Sequence, residues 1–197
     1  MLIMNQPSAV SLRHEMRQLR RNLTGDAQTQ AARLLRQHFL NEHRLLKANM
    51  VGAYFPADGE INPIPLLNRL QQLGKQIYLP KLATYPKKMV FLPFTGEFSV
   101  NQYGILEPIA AARDLRFAAD LDLLLMPLVA FDGRGNRLGM GGGYYDRALA
   151  KFHRCGVLRR PKLVGLAHSF QQTPRLKSNR WDVPMHAVIT EQALTWF

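Results

Sequence analysis

Cysteine is almost missing from this chain of 197 residues: Cys155 is the only one. A single thiol excludes an intrachain disulfide and a cysteine-built zinc site, and it fits a reducing cytoplasm. Long apolar runs are missing too. The longest, LLLMPLVAF from Leu123 to Phe131, falls short of the roughly 20 residues that span a bilayer and is interrupted by Pro127. The first ten residues, MLIMNQPSAV, lack the basic start, apolar middle and cleavage site of a secretory signal. Acidic residues are scarce, 14 against 26 Lys and Arg, and the resulting net charge of +12 favours an anionic partner. Aromatic residues do not alternate with the arginines, which argues against base stacking on a nucleic acid. A phosphorylated or carboxylate-rich small molecule remains. Two familiar nucleotide fingerprints are absent as well. Gly74-Lys75 is followed by Gln76, so there is no Walker A loop, and Tyr144 stands where a dinucleotide loop has its third glycine after Gly139 and Gly141.

The composition that is present, 47% hydrophobic and 20% charged, reads as one globular domain over residues 1–197. Leu12, Met16, Leu19 and Leu23 recur at helical spacing and predict an amphipathic helix with an arginine-rich opposite face. Thr24 and Asp26 offer the cap of a second helix, with Ala31, Leu34, Leu35, His38 and Phe39 inside it. Strands are predicted at Met50 to Phe55, Gln76 to Pro80, Met89 to Phe94, Leu121 to Pro127, Lys162 to Ala167 and His186 to Thr190. Helices are predicted at Asn62 to Gly74, Tyr144 to Phe152 and, as a short closing element, Glu191 to Trp196. Strands alternating with helices predict an α/β fold: three layers, α/β/α, with a mostly parallel central sheet. Ligands of such sheets sit at the carboxyl ends of strands.

One stretch occupies that place. RGNRLGMGGGYYDRAL, Arg134 to Leu149, follows the strongest strand and precedes a helix. Its glycines free the backbone so that N–H groups can converge on an anion, and the helix behind them adds its dipole. Arg134, Arg137 and Arg147 bring fixed charge, and guanidinium binds phosphate bidentately. Asp146 has the opposite sign, and a carboxylate beside a phosphate nest calls for an intervening cation such as Mg²⁺. From the residues alone this is a phosphate- or nucleotide-binding α/β enzyme. A tight turn whose glycines only permit close packing is the plainer alternative.

AFDGRGNRLGMGGGYYDRAL, Ala130 to Leu149, resembles the signature of the 5-formyltetrahydrofolate cyclo-ligase family, also called methenyltetrahydrofolate synthetase. LRHEMRQLRRNL, AYFPADGEIN, YGILEP, GLAHSFQ and WDVPMHAVITE resemble further segments of the same family, so the likeness runs through most of the chain. The resemblance implies a fold like that of sugar-phosphate isomerases and CoA-transferases. It implies ATP as co-substrate, Mg²⁺ as cofactor, and 5-formyltetrahydrofolate as the substrate converted to 5,10-methenyltetrahydrofolate. By the same likeness Arg137, Leu138, Gly139, Met140, Gly141, Gly142, Gly143, Tyr144 and Tyr145 form the ATP-phosphate loop, helped by Arg13. Asp146 holds the metal. Arg137, Tyr144 and Asp146 are the catalytic set. Phe55, Glu60 and Tyr103, with Met140 to Tyr144, receive the folate.

Two positions depart from the family pattern. Ala9 stands where the family has a lysine, so one phosphate contact is missing or is supplied by a neighbour such as Arg17, and His186 stands where a second metal-binding aspartate is common, which leaves Asp146, water and ATP oxygens to complete the metal's shell, or Asp182 to substitute. The chain is expected to act in the cytoplasm, as a monomer. The basic excess, with Lys81, Lys87 and Lys88 between Glu60 and Tyr103, suits the carboxylate tail of a polyglutamylated folate. Three other classes are compatible with parts of the chain: an isomerase-like relative that needs no ATP, a nucleic-acid-binding module, and a folate-binding protein without catalysis.

Overall fold

The computed structural model describes residues 8–83, 88–154, 161–179 and 182–197. Cys155 and Lys87 lie outside the described residues. Helix α1 (Ala9–Arg21) starts where the Ser8 hydroxyl accepts the Ser11 N–H, and α2 (Gly25–Leu40) starts where the Thr24 hydroxyl accepts the Ala27 N–H. Each cap satisfies an orphan donor of its first turn. A single turn, α3 (His43–Leu46), leads to β1 (Met50–Gly52). Helix α4 (Ile64–Gln72) has a proline in its first turn and stops at Gly74, whose φ of 77° ends the helical path. Then follow β2 (Gln76–Ala83), β3 (Lys88–Pro93), β4 (Phe98–Val100), β5 (Leu106–Pro108) and β6 (Leu123–Pro127). The hairpin β7 (Ala130–Phe131) and β8 (Arg137–Leu138) precedes α5 (Tyr144–Arg154). The chain closes through β9 (Lys162–Leu166), β10 (Ala187–Ile189) and β11 (Leu194–Trp196).

Seven strands form one sheet in the order β11-β10-β9-β6-β1-β2-β3. The five inner strands pair in parallel, and β11 and β3 close the edges antiparallel. β6 is buried on both sides. Leu123 and Leu125 join a core with Leu35, Phe39, Leu66, Leu67 and Leu70 of α2 and α4. Leu124 and Met126 join another with Phe91, Leu163 and Leu149 of α5. This is the two-sided burial that a near-continuous apolar strand demands, and it gives the three-layer α/β fold. No helix among the described residues is long and apolar enough to cross a membrane.

Two sequence expectations fail. Glu191 to Trp196 does not close the chain as a helix. Leu194–Trp196 is β11, paired residue for residue with β10, and the Trp196 indole N–H donates to Glu42 at 3.1 Å. So short a helix is unfavourable in isolation, and an open sheet edge supplied the better backbone partners. In α1 the buried face holds Leu12 and Met16 as expected, but its third member is Arg20, fully buried, while Leu19 is exposed. The helix is rotated away from its apolar optimum so that a guanidinium enters the protein.

Candidate active site

The glycine stretch divides into three parts. Arg137 and Leu138 belong to β8, and the Leu138 side chain packs with Leu12, Met16, Val129 and Ala130. Leu138 thus anchors the loop from the core side. Gly139 to Gly142 follow as exposed backbone, with Met140 half exposed. Gly143 caps α5: the Arg147 N–H donates to its carbonyl at 3.1 Å. Its φ of 66° lies in the left-handed region, which favours glycine there. The positive end of the α5 dipole therefore opens directly onto this loop.

Arg13 comes from α1 and donates from Nε to the Gly139 carbonyl at 2.8 Å, next to Gly141. Arg147 donates to the Gly142 carbonyl at 2.7 Å and lies 5.2 Å from the centre of the Tyr144 ring. Arg137 points elsewhere. Its side chain is 8% exposed, and it donates to Asp146 Oδ1 at 2.8 Å and to the Val183 carbonyl at 2.5 Å. The residue expected as a phosphate ligand and the residue expected as a metal ligand are thus paired with one another. A phosphate contact by Arg137 would compete with that ion pair.

The second half of the site is the turn from Ala57 to Glu60. The Glu60 N–H donates to the Ala57 carbonyl at 3.0 Å, and Asp58 and Gly59 both have positive φ, 53° and 72°. Asp-Gly is the pair that such a tight turn prefers. Asp58 faces α1, where it takes Arg17 at 2.5 Å, Arg20 at 3.0 Å and Arg21. Burial opposes its ionisation, but the hydrogen bonds from Arg17 and Arg21 outweigh it and hold the carboxyl below its usual range. Glu60 is 13% exposed, accepts the Ala57 N–H at 3.1 Å and stands 3.8 Å from Arg20. Burial dominates here and pushes its pKa up to about 7, against the pull of the Ala57 N–H and Arg20. Arg17, expected at the phosphates in place of the missing lysine, is therefore placed at this turn and not on the glycine loop.

A cleft of about 700 Å³ opens beside the turn. Phe55, Asp58, Asn62, Tyr103, Arg17 and Arg21 are among its walls. Phe55 stands edge-on to Phe94 and Phe98 at 5.8 and 5.1 Å, which fixes its ring. Tyr103 is exposed, on the loop between β4 and β5. Asn101 shapes that loop by accepting the Tyr103 and Ile105 N–H groups, and buried Glu107 fastens Asn101 and Leu82 together. The Tyr103 hydroxyl meets the Tyr144 hydroxyl at 3.2 Å, joining the cleft to the glycine loop. Tyr145, one residue on, is half-buried against the core beneath α5, and burial first and Glu60 second raise its pKa. The cations lining the cleft are Arg17 and Arg21. Lys81 and Lys88 lie on β2 and β3, outside the lining.

Among the described residues no three His, Cys, Asp or Glu side chains converge as a metal cage. Asp146 offers a part-exposed carboxylate beside the glycine loop, with Oδ1 taken by Arg137. Asp182 is engaged in a local turn, accepting the Asn179 N–H at 2.7 Å. His186 is occupied differently: its Nδ1 accepts the Leu163 N–H at 2.9 Å, tying β9 to the approach to β10. This donor set does not suit a cation held by protein alone. It fits Mg²⁺ carried on substrate phosphates, which the ion commonly binds through one or two carboxylates and water.

Sequence reasoning missed Asp58, Arg20, Asp132 and Glu107. Asp132 is fully buried below the β7–β8 hairpin and accepts from Arg134, Asn136 and Leu176. The Asp58-Gly59 pair is a turn signal in the sequence, but nothing there distinguishes a solvated turn from a charge hub.

The profile of the 5-formyltetrahydrofolate cyclo-ligase family matches residues 5–191. The 5-formyltetrahydrofolate cyclo-ligase of Haemophilus influenzae is 38% identical over 94% of this chain and 99% of its own length. That of Escherichia coli is 35% identical over 89% and 96%. The NMR structure of Aquifex aeolicus 5,10-methenyltetrahydrofolate synthetase superposes with a TM-score of 0.81 at 28% identity, covering 95% of this chain and 92% of that one. With a glycine loop, an arginine helix and a tyrosine-walled cleft meeting at one point of the fold, this chain belongs to the 5-formyltetrahydrofolate cyclo-ligase family.

Proposed function

We propose that the chain, as one cytoplasmic, monomeric cyclo-ligase domain over residues 1–197, closes the ring of 5-formyltetrahydrofolate at the expense of ATP. The observation that carries the reading is the 3.2 Å contact between Tyr144 and Tyr103. It brings the start of the phosphate-binding helix to the mouth of an aromatic cleft, so two substrates placed there would touch.

The chemistry explains why two substrates must touch. The formyl group is an amide: its carbon is a weak electrophile and its oxygen a poor leaving group. Transfer of the terminal phosphoryl group of ATP to the formyl oxygen breaks the bond to ADP and leaves a phosphorylated imidate. The folate's second nitrogen then attacks the formyl carbon and gives up its proton. The carbon–oxygen bond breaks, phosphate departs with the electron pair, and 5,10-methenyltetrahydrofolate remains. Such a path needs positioning and charge neutralisation more than a protein nucleophile.

The exposed backbone of Gly139 to Gly143 and the α5 N-terminus cradle the phosphates, with Arg13 beside them. Arg137 holds Asp146 in place, and Asp146 would hold Mg²⁺ together with phosphate oxygens. When bound, Mg²⁺ neutralises charge on those oxygens. Phe55 lines the pterin pocket and Tyr103 stacks on the ring, and Glu60, on the turn beside the cleft but not among its walls, accepts from the N–H-rich edge of the pterin. Absorbance-monitored formation of methenyltetrahydrofolate tests the reading. Product should appear only with ATP and Mg²⁺ both present, and product without ATP, or none with both, would overturn it.

A further inference from the structure

α1 carries Arg13, Arg17 and Arg20 at steps of four and three, so all three lie along one helix face. Arg13 touches the glycine loop, and the other two touch the turn that bears Glu60. Of these, Arg20 is the anomaly, because its side chain is wholly buried. It meets Asp58 at 3.0 Å, Glu60 at 3.8 Å and the Leu128 carbonyl at 3.4 Å, while its buried Nε has no partner. Buried ion pairs contribute little net stability, because desolvation offsets the attraction. A cluster that leaves a buried donor unsatisfied is a worse stabiliser than a well-packed apolar residue. Its use must lie in geometry and charge. The packing behind the turn agrees: the Gly59 carbonyl accepts from Gln28 of α2 at 3.0 Å and meets His168 Nε2 at 3.3 Å, while an added Gly59 Cβ would strike the Arg20 backbone oxygen at 2.7 Å.

We infer that Arg20 is a positioning residue: its buried guanidinium holds the Asp58–Gly59 turn so that Glu60 stands beside the cleft, and it favours the ionised form of Glu60 that accepts from the pterin edge. The inference rests on the assignment of Glu60 to the folate. Four charged or titratable groups face Glu60: Arg20 from α1, Asp58 on the same turn, Tyr54 just beyond β1 and Tyr145 from α5. Only Arg20 favours the carboxylate. Asp58 opposes it, and both tyrosines are raised well beyond the neutral range and stay uncharged there. His168, behind Arg20, is held below its usual range by burial.

The test is the pH dependence of 5-formyltetrahydrofolate binding without ATP, from about pH 5 to about pH 9, in wild type, Arg20→Gln, Arg20→Lys and Glu60→Gln. In wild type, affinity rises as Glu60 ionises, with a midpoint near neutrality. Arg20→Gln moves that midpoint up by about one unit and weakens binding at pH 7 by about fivefold, with little change well above the new midpoint. The Glu60 carboxyl followed by ¹³C NMR moves with it. Should Arg20→Gln not fold, Arg20→Lys carries the test, with a smaller shift in the same direction. Loss by the same factor at every pH, with the NMR midpoint unmoved, would make Arg20 purely structural and overturn the inference. Glu60→Gln separates the two failures. If it abolishes the pH dependence while Arg20→Gln moves nothing, the folate assignment stands and the inference falls. If it retains wild-type affinity and pH dependence, the folate assignment falls and the inference with it.

Discussion

The two halves of the site are built from different materials. The half proposed for the nucleotide, Gly139 to Gly143, is largely exposed backbone ahead of a helix, and its charges lie at the surface or in the Arg137–Asp146 pair. The half proposed for the folate, Ala57 to Glu60, is a single tight turn whose charges are drawn inward by the arginines of α1. The contrast follows from the ligands proposed for each. A polyphosphate is strongly charged, and converging N–H groups can satisfy it without any one side chain. A pterin edge is nearly neutral and must be read by one carboxylate whose own charge state is set locally. Open backbone suits the first, and buried charge suits the second.

Changes to the nucleotide half should strike ATP use and spare folate binding. Arg137→Ala is expected to lower kcat/KM for ATP by roughly 10–10²-fold, the usual size for losing a partner that orients a metal-binding carboxylate. Folate affinity measured without ATP should stay within about twofold. The variant should also lose about 1–3 kcal/mol of stability, because it strands Asp146 and the buried-side contact to Val183. Asp146→Asn should raise the Mg²⁺ concentration needed for half activity, with little effect on folate affinity. Equal damage to folate binding in both variants would erase the distinction between the halves.

Glycine substitutions sharpen it from the other side. Gly59→Ala meets both a positive φ and the Arg20 backbone, so a loss of about 1–3 kcal/mol is expected from strain, with weaker folate binding. Gly139→Ala meets nothing within 4 Å, so its stability should change by less than about 0.5 kcal/mol, while ATP affinity falls because the added methyl crowds the nest. Paired thermal melts and ATP titrations check this. A stable Gly59→Ala variant with normal folate affinity would show the turn to be pliable.

Glu60 also gives the folate half a pH signature in stability. Its pKa rises from 4.5 unfolded to about 7 folded, so the folded state binds the proton more tightly. The stability this confers is present at low pH and is lost as pH rises from about 4.5 to about 7. At about 1.4 kcal/mol per unit the full effect is of order 3 kcal/mol, less where the turn relaxes. Glu60→Gln should therefore match wild type near pH 4 and exceed it by about 1–3 kcal/mol near pH 8 in urea unfolding, at the cost of folate binding. Identical stability at both pH values would mean that Glu60 is solvated.

How much of this was legible depended on where the signal lay. The central strand, the glycine loop, the caps at Thr24 and Gly74 and the alternation of elements were all readable, because period, turn chemistry and local spacing encode them. β11 was not, since Leu194–Trp196 is settled by a partner strand that no local pattern reveals. Arg20 was not either: Arg17, Arg20 and Arg21 on α1 look like a solvated face until Asp58 folds against them. The pairing of Arg137 with Asp146 had the same origin, for a nine-residue separation across a strand, a loop and a helix start has no fixed geometry in sequence.

The smallest effect concerns the rim where the folate half meets solvent. Arg17 and Arg21 line the cleft, and Asp58 supplies one negative charge against them and Arg20 together, so the rim keeps a positive excess. A folate bearing several glutamates would place its carboxylates there more readily than at Lys81 or Lys88 on the sheet. Arg21 is the more exposed of the pair and reaches Asp58 from outside. Exposed charges act mainly through association rate and are screened beyond about 8 Å at physiological salt. Arg21→Gln should therefore shrink the KM advantage of a triglutamate over a monoglutamate by only about threefold at low salt, with kcat on the monoglutamate unchanged and the difference fading as salt is added. Lys88→Gln should leave the ratio alone. If Lys88→Gln has the larger effect, the tail runs along the sheet edge and the arginine rim serves Asp58 alone.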